Sequence, residues 1–294
     1  MSARPNAPPD VSDAAIRVTD LHKRYGAHEA VRGISFEVPY GEVFCLLGPN
    51  GAGKTTTVEV LEGYRERSAG DVRVLGHDPA RREREFRERI GVVLQSSESW
   101  ATLTVAETLR VYAGYYERAR NVDEVIALVG LEEKRNARVK TLSGGQKRRL
   151  DLAIALIGDP DLVFMDEPTT GFDPQARRNA WEMIRGLRSL GKTVLLTTHY
   201  LDEAQQLADR VAVIRDGLIV REGTPEELVS LSDTAIRYRE DGELKVINTA
   251  EPTRVLHELT AAAVASGREL EELEVRRASL EDVYLELLSE EPPA

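Results

Sequence analysis

Val43-Phe44-Cys45-Leu46-Leu47-Gly48-Pro49-Asn50-Gly51-Ala52-Gly53-Lys54-Thr55 is the stretch on which the reading of this chain turns. Val43 to Leu47 is a short, continuous apolar run without alternation, the mark of a strand buried on both faces. The glycine-rich turn after it has the spacing G-x4-G-K-[ST] and opens a helical stretch from Lys54 to about Glu62. In that setting glycines let successive backbone N–H groups point at anionic oxygens, and the helix N-terminus adds partial positive charge. Lys54 is then expected to reach the β- and γ-phosphates of a nucleoside triphosphate, and the Thr55 hydroxyl to ligate Mg2+. The expected nucleotide contacts of this segment are Gly48, Pro49, Asn50, Gly51, Ala52, Gly53, Lys54, Thr55 and Thr56.

Outward from this segment, further buried-strand runs lie at Ile90 to Leu94, Leu162 to Met165, Thr193 to Thr197 and Val211 to Ile214. Helical patterns separate them, and the middle, from Asp78 to Leu150, is mostly helical. Such alternation predicts an α/β fold with a parallel sheet covered on both faces. Strand-like alternation also marks Ile16 to Val18 and Ile34 to Val38. Residues 1–13 are proline-rich with little apolar material and are expected to be a disordered leader. A capped helix near Thr224-Pro225-Glu226-Glu227 closes the main unit, expected over 14–230. A small α+β unit is expected over 231–294. It has a hairpin across Asp241-Gly242, a helix from Pro252 to Ser266, a strand near Leu273 to Arg276, and a helix opened by Ser279-Leu280-Glu281-Asp282.

Composition narrows the classes. The chain has 294 residues with 41% hydrophobic and 30% charged, near the averages for a soluble protein with a substantial core. Its 39 basic and 50 acidic side chains give a net charge of −11, which does not suit holding duplex nucleic acid by neutralising phosphates. Lys147-Arg148-Arg149 lacks the interleaved aromatics of a nucleic-acid patch, so no nucleic-acid partner is expected. The mixed charges of Ala80 to Arg89 read as a solvated helix face. No apolar run approaches the ~20 residues of a membrane helix, and the start is not a secretory signal. The lone cysteine, Cys45, sits inside an apolar run and fits a reducing, cytoplasmic setting.

A phosphate loop needs a second acidic group for its metal. Asp166, at the end of the run Leu162 to Met165, is expected to hold Mg2+ through water. Glu167, one residue on, is where a carboxylate can orient and deprotonate an attacking water. Together these point to a P-loop nucleotide triphosphatase. Between the two motifs lies Leu142-Ser143-Gly144-Gly145-Gln146, opening a helix from Gln146 to about Ile157. Ser143 and the Gly144 and Gly145 amides make a second anion-binding helix start.

With these three motifs in this order, the chain resembles the ATP-binding cassette family, specifically the nucleotide-binding subunit of an ABC transporter, from about residue 16 to 230. The resemblance implies a P-loop core with a mixed sheet, an antiparallel β subdomain and a helical subdomain at about 96–157. It implies ATP and Mg2+ as ligands, and catalytic work for Glu167, His199 and Lys54. Tyr25 matches the aromatic that stacks on adenine, Gln95 the glutamine that contacts Mg2+ and reports to the membrane partner, and His199 the histidine that holds the γ-phosphate. Thr170-Gly171-Phe172-Asp173 matches the loop that communicates across a dimer, with Phe172 where a smaller aliphatic is usual.

Such cassettes pair head to tail, each ATP held by the phosphate loop of one chain and by Ser143, Gly144, Gly145 and Gln146 of the other. One set of motifs therefore implies a second cassette, expected to be a second copy of this chain. The ending Arg277 to Leu285 resembles cassettes of daunorubicin-resistance-type multidrug exporters, which work with a separate ABC-2-type permease. That resemblance implies export of a drug, antibiotic or lipid-like cargo from a station on the inner face of the membrane. The other class weighed, a soluble cassette ATPase of DNA repair or translation, is disfavoured because the chain has neither a long coiled-coil insertion nor a second cassette.

Overall fold

The computed structural model describes residues 14–93, 101–230, 234–240, 243–276, 280–281 and 283–284. In chain order the first elements are β1 (Ala14–Tyr25), β2 (His28–Pro39), β3 (Val43–Leu47), α1 (Lys54–Leu61), β4 (Ala69–Val74), α2 (Arg84–Arg89) and β5 (Ile90–Val93). A helical stretch follows with α3 (Val105–Ala113), α4 (Val122–Leu128) and α5 (Gly144–Leu156). Then come β6 (Leu162–Asp166), α6 (Pro174–Ser189), β7 (Thr193–Thr198), α7 (Leu201–Leu207), β8 (Arg210–Arg215) and β9 (Leu218–Gly223).

β3 and β7 are buried along their whole length, as a central parallel strand requires. They sit inside a six-stranded sheet of order β5-β6-β7-β3-β8-β9, in which β5, β6, β7, β3 and β8 pair parallel. Register brings the carboxyl ends together: Leu47 lies beside Thr198, and Asp166 beside Thr197. Gly48, Glu167 and His199 therefore leave the sheet at one edge, the place where open α/β sheets bind ligands.

A second sheet, β2-β1-β4, is antiparallel throughout. The Phe36 ring of β2 stacks on the Phe44 ring of β3, with centroids 5.2 Å apart and planes 6° from parallel, and so joins the two sheets in one core. Each such ring contributes on the order of 2–3 kcal/mol by its burial.

β4 carries too little apolar sequence to announce itself. In β4 only Val72 and Val74 are buried, and the strand exists because β1 supplies a ladder, Val18 beside Val72 and Ile16 beside Val74. Within the mostly helical middle, α3 starts at Val105 because Thr104 and Glu107 form a reciprocal capping box. The charged run from Ala80 is helical in α2 only from Arg84, since Arg82 takes a left-handed conformation (φ 51).

The chain divides into two compact units, Met1–Val220 and Arg221–Ala294. The division falls within β9, and α8 (Pro225–Ser230), capped through Thr224 and Glu227, belongs to the second unit. In the second unit, β10 (Thr234–Glu240), β11 (Glu243–Thr249) and β12 (Glu271–Arg276) form a sheet of order β11-β10-β12, with α9 (Pro252–Ala265) against β10. The Asp241-Gly242 turn, Ser279 and Asp282 lie outside the described residues, as do residues 1–13. No helix among the described residues is long and apolar enough to cross a membrane.

Candidate active site

Two glycines make the loop after β3 possible. A Cβ on Gly48 would lie 2.2 Å from the Ile214 carbonyl oxygen, so the loop can hug β8 only without one. Gly53 caps α1 at φ 105, a conformation that L side chains rarely adopt. The loop that results curls around the Lys54 ammonium, which is 4% exposed and donates to the Gly48 carbonyl at 2.7 Å and the Pro49 carbonyl at 3.1 Å. Burial pulls the Lys54 ammonium below its ordinary value, against the opposing pull of Glu167.

Glu167 stands across from it, with Oε1 3.6 Å from Lys54 Nζ. Its backbone is left-handed, φ 46, which aims the side chain back over the loop instead of along β6. His199 Nδ1 lies 3.2 Å from the same Oε1, near but not aligned as a hydrogen bond, and the Thr170 hydroxyl donates to Oε2 at 3.0 Å. Burial works to raise the Glu167 carboxyl. The contacts from His199 and Thr170, with the Lys54 charge, outweigh it and hold the group below the usual glutamate range.

Thr55 Oγ1 donates to Asp166, at 3.2 Å from Oδ2. One hydroxyl missed by sequence reasoning organises this corner: Thr197, fully buried, donates to Asp166 Oδ1 and accepts from the Glu167 N–H. A polar side chain inside a fully buried strand was the available signal. Glu62, at the end of α1, was also missed; burial, with the Asp166 charge behind it, pushes its carboxyl up to about 8.

A cavity of about 470 Å3 opens over this loop. Of the expected contacts it takes in Tyr25, Asn50, Gly51, Gly53, Lys54, Thr55, Thr56 and Glu167; Gly48, Pro49 and Ala52 do not line it, and the Gly48 and Pro49 carbonyls accept from Lys54 instead. Tyr25 is half exposed, with Lys23 Nζ 5.0 Å and the Arg65 guanidinium 5.6 Å from its ring centre. The donor set fits the expected ligands. A buried ammonium held by carbonyls, with backbone amides at a helix start, suits phosphate oxygens, and the Thr55–Asp166 oxygen pair suits Mg2+, a hard cation usually bound by one or two carboxylates beside phosphates.

Ser143, Gly144, Gly145 and Gln146 lie elsewhere. Ser143 caps α5 in a capping box with Gln146, and the space above the Gly144 and Gly145 Cα atoms is empty. They line a separate groove of about 740 Å3 with Gly171, Phe172 and Asp173, and this groove shares no residue with the cavity over Lys54. Asp173 spends one oxygen on capping α6, accepting from the Gln175 and Ala176 amides at 2.9 Å each. Gln95 lies outside the described residues.

With this geometry in hand, comparison with known proteins is specific. A family model described as ABC transporter matches residues 31–170. The Nod factor export ATP-binding protein I of Rhizobium sp. (strain N33) is 42% identical over 307 aligned positions, covering 96% of this chain and 99% of that protein. Its namesake from Paraburkholderia xenovorans (strain LB400) is 47% identical over 223 positions, 74% of this chain and 73% of that protein. Among solved structures, an ATP-binding subunit of an ABC transporter superposes with a TM-score of 0.70 at 24% identity, covering 94% of this chain and 100% of the other. CbiO1 of Clostridium perfringens, part of the ABC transporter complex CbiONQ, gives 0.67 at 27% identity over 74% of this chain and 92% of its own. A dimeric ATP-binding cassette in a post-hydrolysis state with ADP and Pi gives 0.63 at 24% identity, over 71% and 98%, a likeness of fold.

Proposed function

The chain belongs to the ATP-binding subunits of ABC transporters, which bind ATP with Mg2+ and hydrolyse it, and from that premise we propose that it powers export through a separate membrane permease. The relatives' names speak for export, not for the soluble repair or translation class. The sequence ending at Arg277 to Leu285 supports a permease of the ABC-2 type and a drug, antibiotic or lipid-like cargo. Attachment to such a partner would station the chain at the inner face of the membrane.

In this reading Lys54 exchanges the Gly48 and Pro49 carbonyls and Glu167 for the β- and γ-phosphate oxygens. The loop amides from Asn50 to Thr56 hold the remaining oxygens, and Tyr25 carries the adenine on its ring. Thr55 and Asp166, with Gln95, would hold Mg2+, which neutralises charge on the phosphates. Glu167, ionised at neutral pH, orients the attacking water and takes its proton, and His199 beside it holds the γ-phosphate.

The observation that carries the pairing is the separation of the two anion sites: Ser143 to Gln146 line a groove that excludes every residue of the Lys54 cavity. A single chain therefore surrounds its nucleotide on one side only, which supports a head-to-tail homodimer whose second chain supplies Ser143 to Gln146, with Asp173 nearby. Light scattering on the E167Q chain with ATP and Mg2+ tests this. A dimer that forms with nucleotide and is abolished in an E167Q/S143R double variant supports the reading; a monomer at all concentrations overturns it.

A further inference from the structure

Behind the site lies a carboxylate that the hydrolysis chemistry does not use. Glu203, on α7, is fully buried. Its Oε1 accepts from the Thr169 hydroxyl at 2.8 Å and from the Trp181 indole N–H at 3.3 Å, and its Oε2 has no hydrogen-bond partner. Close by, fully buried Thr198 accepts from the Tyr200 N–H at 3.0 Å. Burial raises the Glu203 carboxyl above its ordinary range against these donors and the nearby Arg177 charge.

The partners matter more than their number. Thr169 lies in the loop that leaves Glu167 and runs to Asp173, Trp181 lies on the helix that Asp173 caps, and Glu203 itself is on α7, which begins two residues after His199. The neighbouring carbonyl, Pro168 O, accepts from Arg148 of α5 at 3.2 Å, so the loop is also tied to the helix that Ser143 opens. We infer that Glu203 is a positioning residue for hydrolysis, its buried carboxyl fixing the His199 turn against the Glu167–Asp173 loop. It touches no substrate. Its work is to make the two sides of the attacking water's site, and the dimer-facing loop, move as one piece. Thr169 joins the loop that carries Glu167 to the helix that follows His199, a link that a carboxylate merely filling the core would not need. A buried polar hub with one oxygen unsatisfied is costly to keep, and a site whose geometry depends on it is a reason to keep it.

This inference rests on the proposed ATPase reading. The test is steady-state hydrolysis, with binding of a fluorescent ATP analogue, by the full chain as wild type, E167Q, E203A, E203Q and T169V. E203A is expected to lower kcat roughly tenfold or more with nucleotide affinity within about twofold of wild type, and E203Q, which can still accept from Thr169, to recover most of that loss. T169V, which removes one hydroxyl at constant shape, is expected to lower kcat by roughly threefold with affinity unchanged, and carries the test if E203A does not fold. Wild-type kcat in T169V, or affinity falling in step with kcat, overturns the inference. A wild-type chain without ATPase activity, or E167Q as active as wild type, overturns the parent reading and this one together. An active wild type with inactive E167Q and unaffected T169V overturns this one alone.

Discussion

Glu167 Oε1 stands 3.6 Å from Lys54 Nζ, so the residue that would activate water and the residue that would bind phosphate are already paired across the loop. Lys54 is otherwise held by two backbone carbonyls. Triphosphate binding is therefore an exchange of partners, in which the ammonium leaves a carboxylate and neutral acceptors for phosphate oxygens and Glu167 is released toward the water.

The first consequence concerns Glu167→Gln. Removing a negative charge beside the triphosphate favours binding, while removing the base stops turnover. The variant is expected to bind ATP at least as tightly as wild type and to lose kcat by ~100-fold or more, since a positioned general base contributes about 10²–10⁴. Parallel equilibrium binding and phosphate-release assays check it; near wild-type turnover would remove Glu167 from the base role.

Lys54→Ala removes the charged donor to phosphate and leaves Glu167 without its cation. Loss of one charge-assisted contact predicts ATP affinity weaker by about 2–3 kcal/mol, near ~100-fold. Fluorescence titration with ATP reads this directly, and undiminished affinity would contradict the phosphate-loop assignment.

Ser143→Ala separates cap from site. Losing the α5 cap costs about 1 kcal/mol of stability. Monomer ATP affinity should not change, because Ser143 lies outside the Lys54 cavity. ATPase activity at limiting protein concentration should fall, and a drop in monomer affinity instead would place Ser143 in its own chain's site.

Glu62 predicts a pH dependence. Burial pushes its carboxyl up to about 8 in the folded chain, against about 4.5 for an exposed glutamate in the unfolded one. Between these values the native state holds a proton that the unfolded state lacks. The unfolding free energy therefore falls as pH rises from about 4.5 to about 8 and is level above. Glu62→Gln should remove that decline and stabilise the nucleotide-free chain at pH 8 by on the order of 2–4 kcal/mol. Thermal melts of both proteins at pH 5 and pH 8 decide it: an equal gap at the two values refutes the assignment.

Much of the site was legible because its chemistry is local. The strand Val43 to Leu47, the loop to Thr55 and α1 are continuous in sequence, and a helix N-terminus binds anions by its own backbone. Asp166-Glu167 and Ser143-Gly144-Gly145 were legible for the same reason, each a strand end or helix start that carries its own geometry. The buried hydroxyl and carboxyl groups beside these pieces were not. Thr197 and Thr198 read as strand residues, Glu203 as one acid among several in a helix, and Glu62 as a helix end.

By itself the sequence determined which backbone turns could cradle phosphate and which side chains stood beside them, since those depend on residues a few positions apart. Only the tertiary structure decided that Leu47 runs beside Thr198 and Asp166 beside Thr197, that Gly48 closes on Ile214, and that the groove of Ser143 lies apart from the cavity of Lys54. Strand register and the burial of polar groups are set by partners far apart in the chain, through packing and hydrogen bonds that no local pattern encodes.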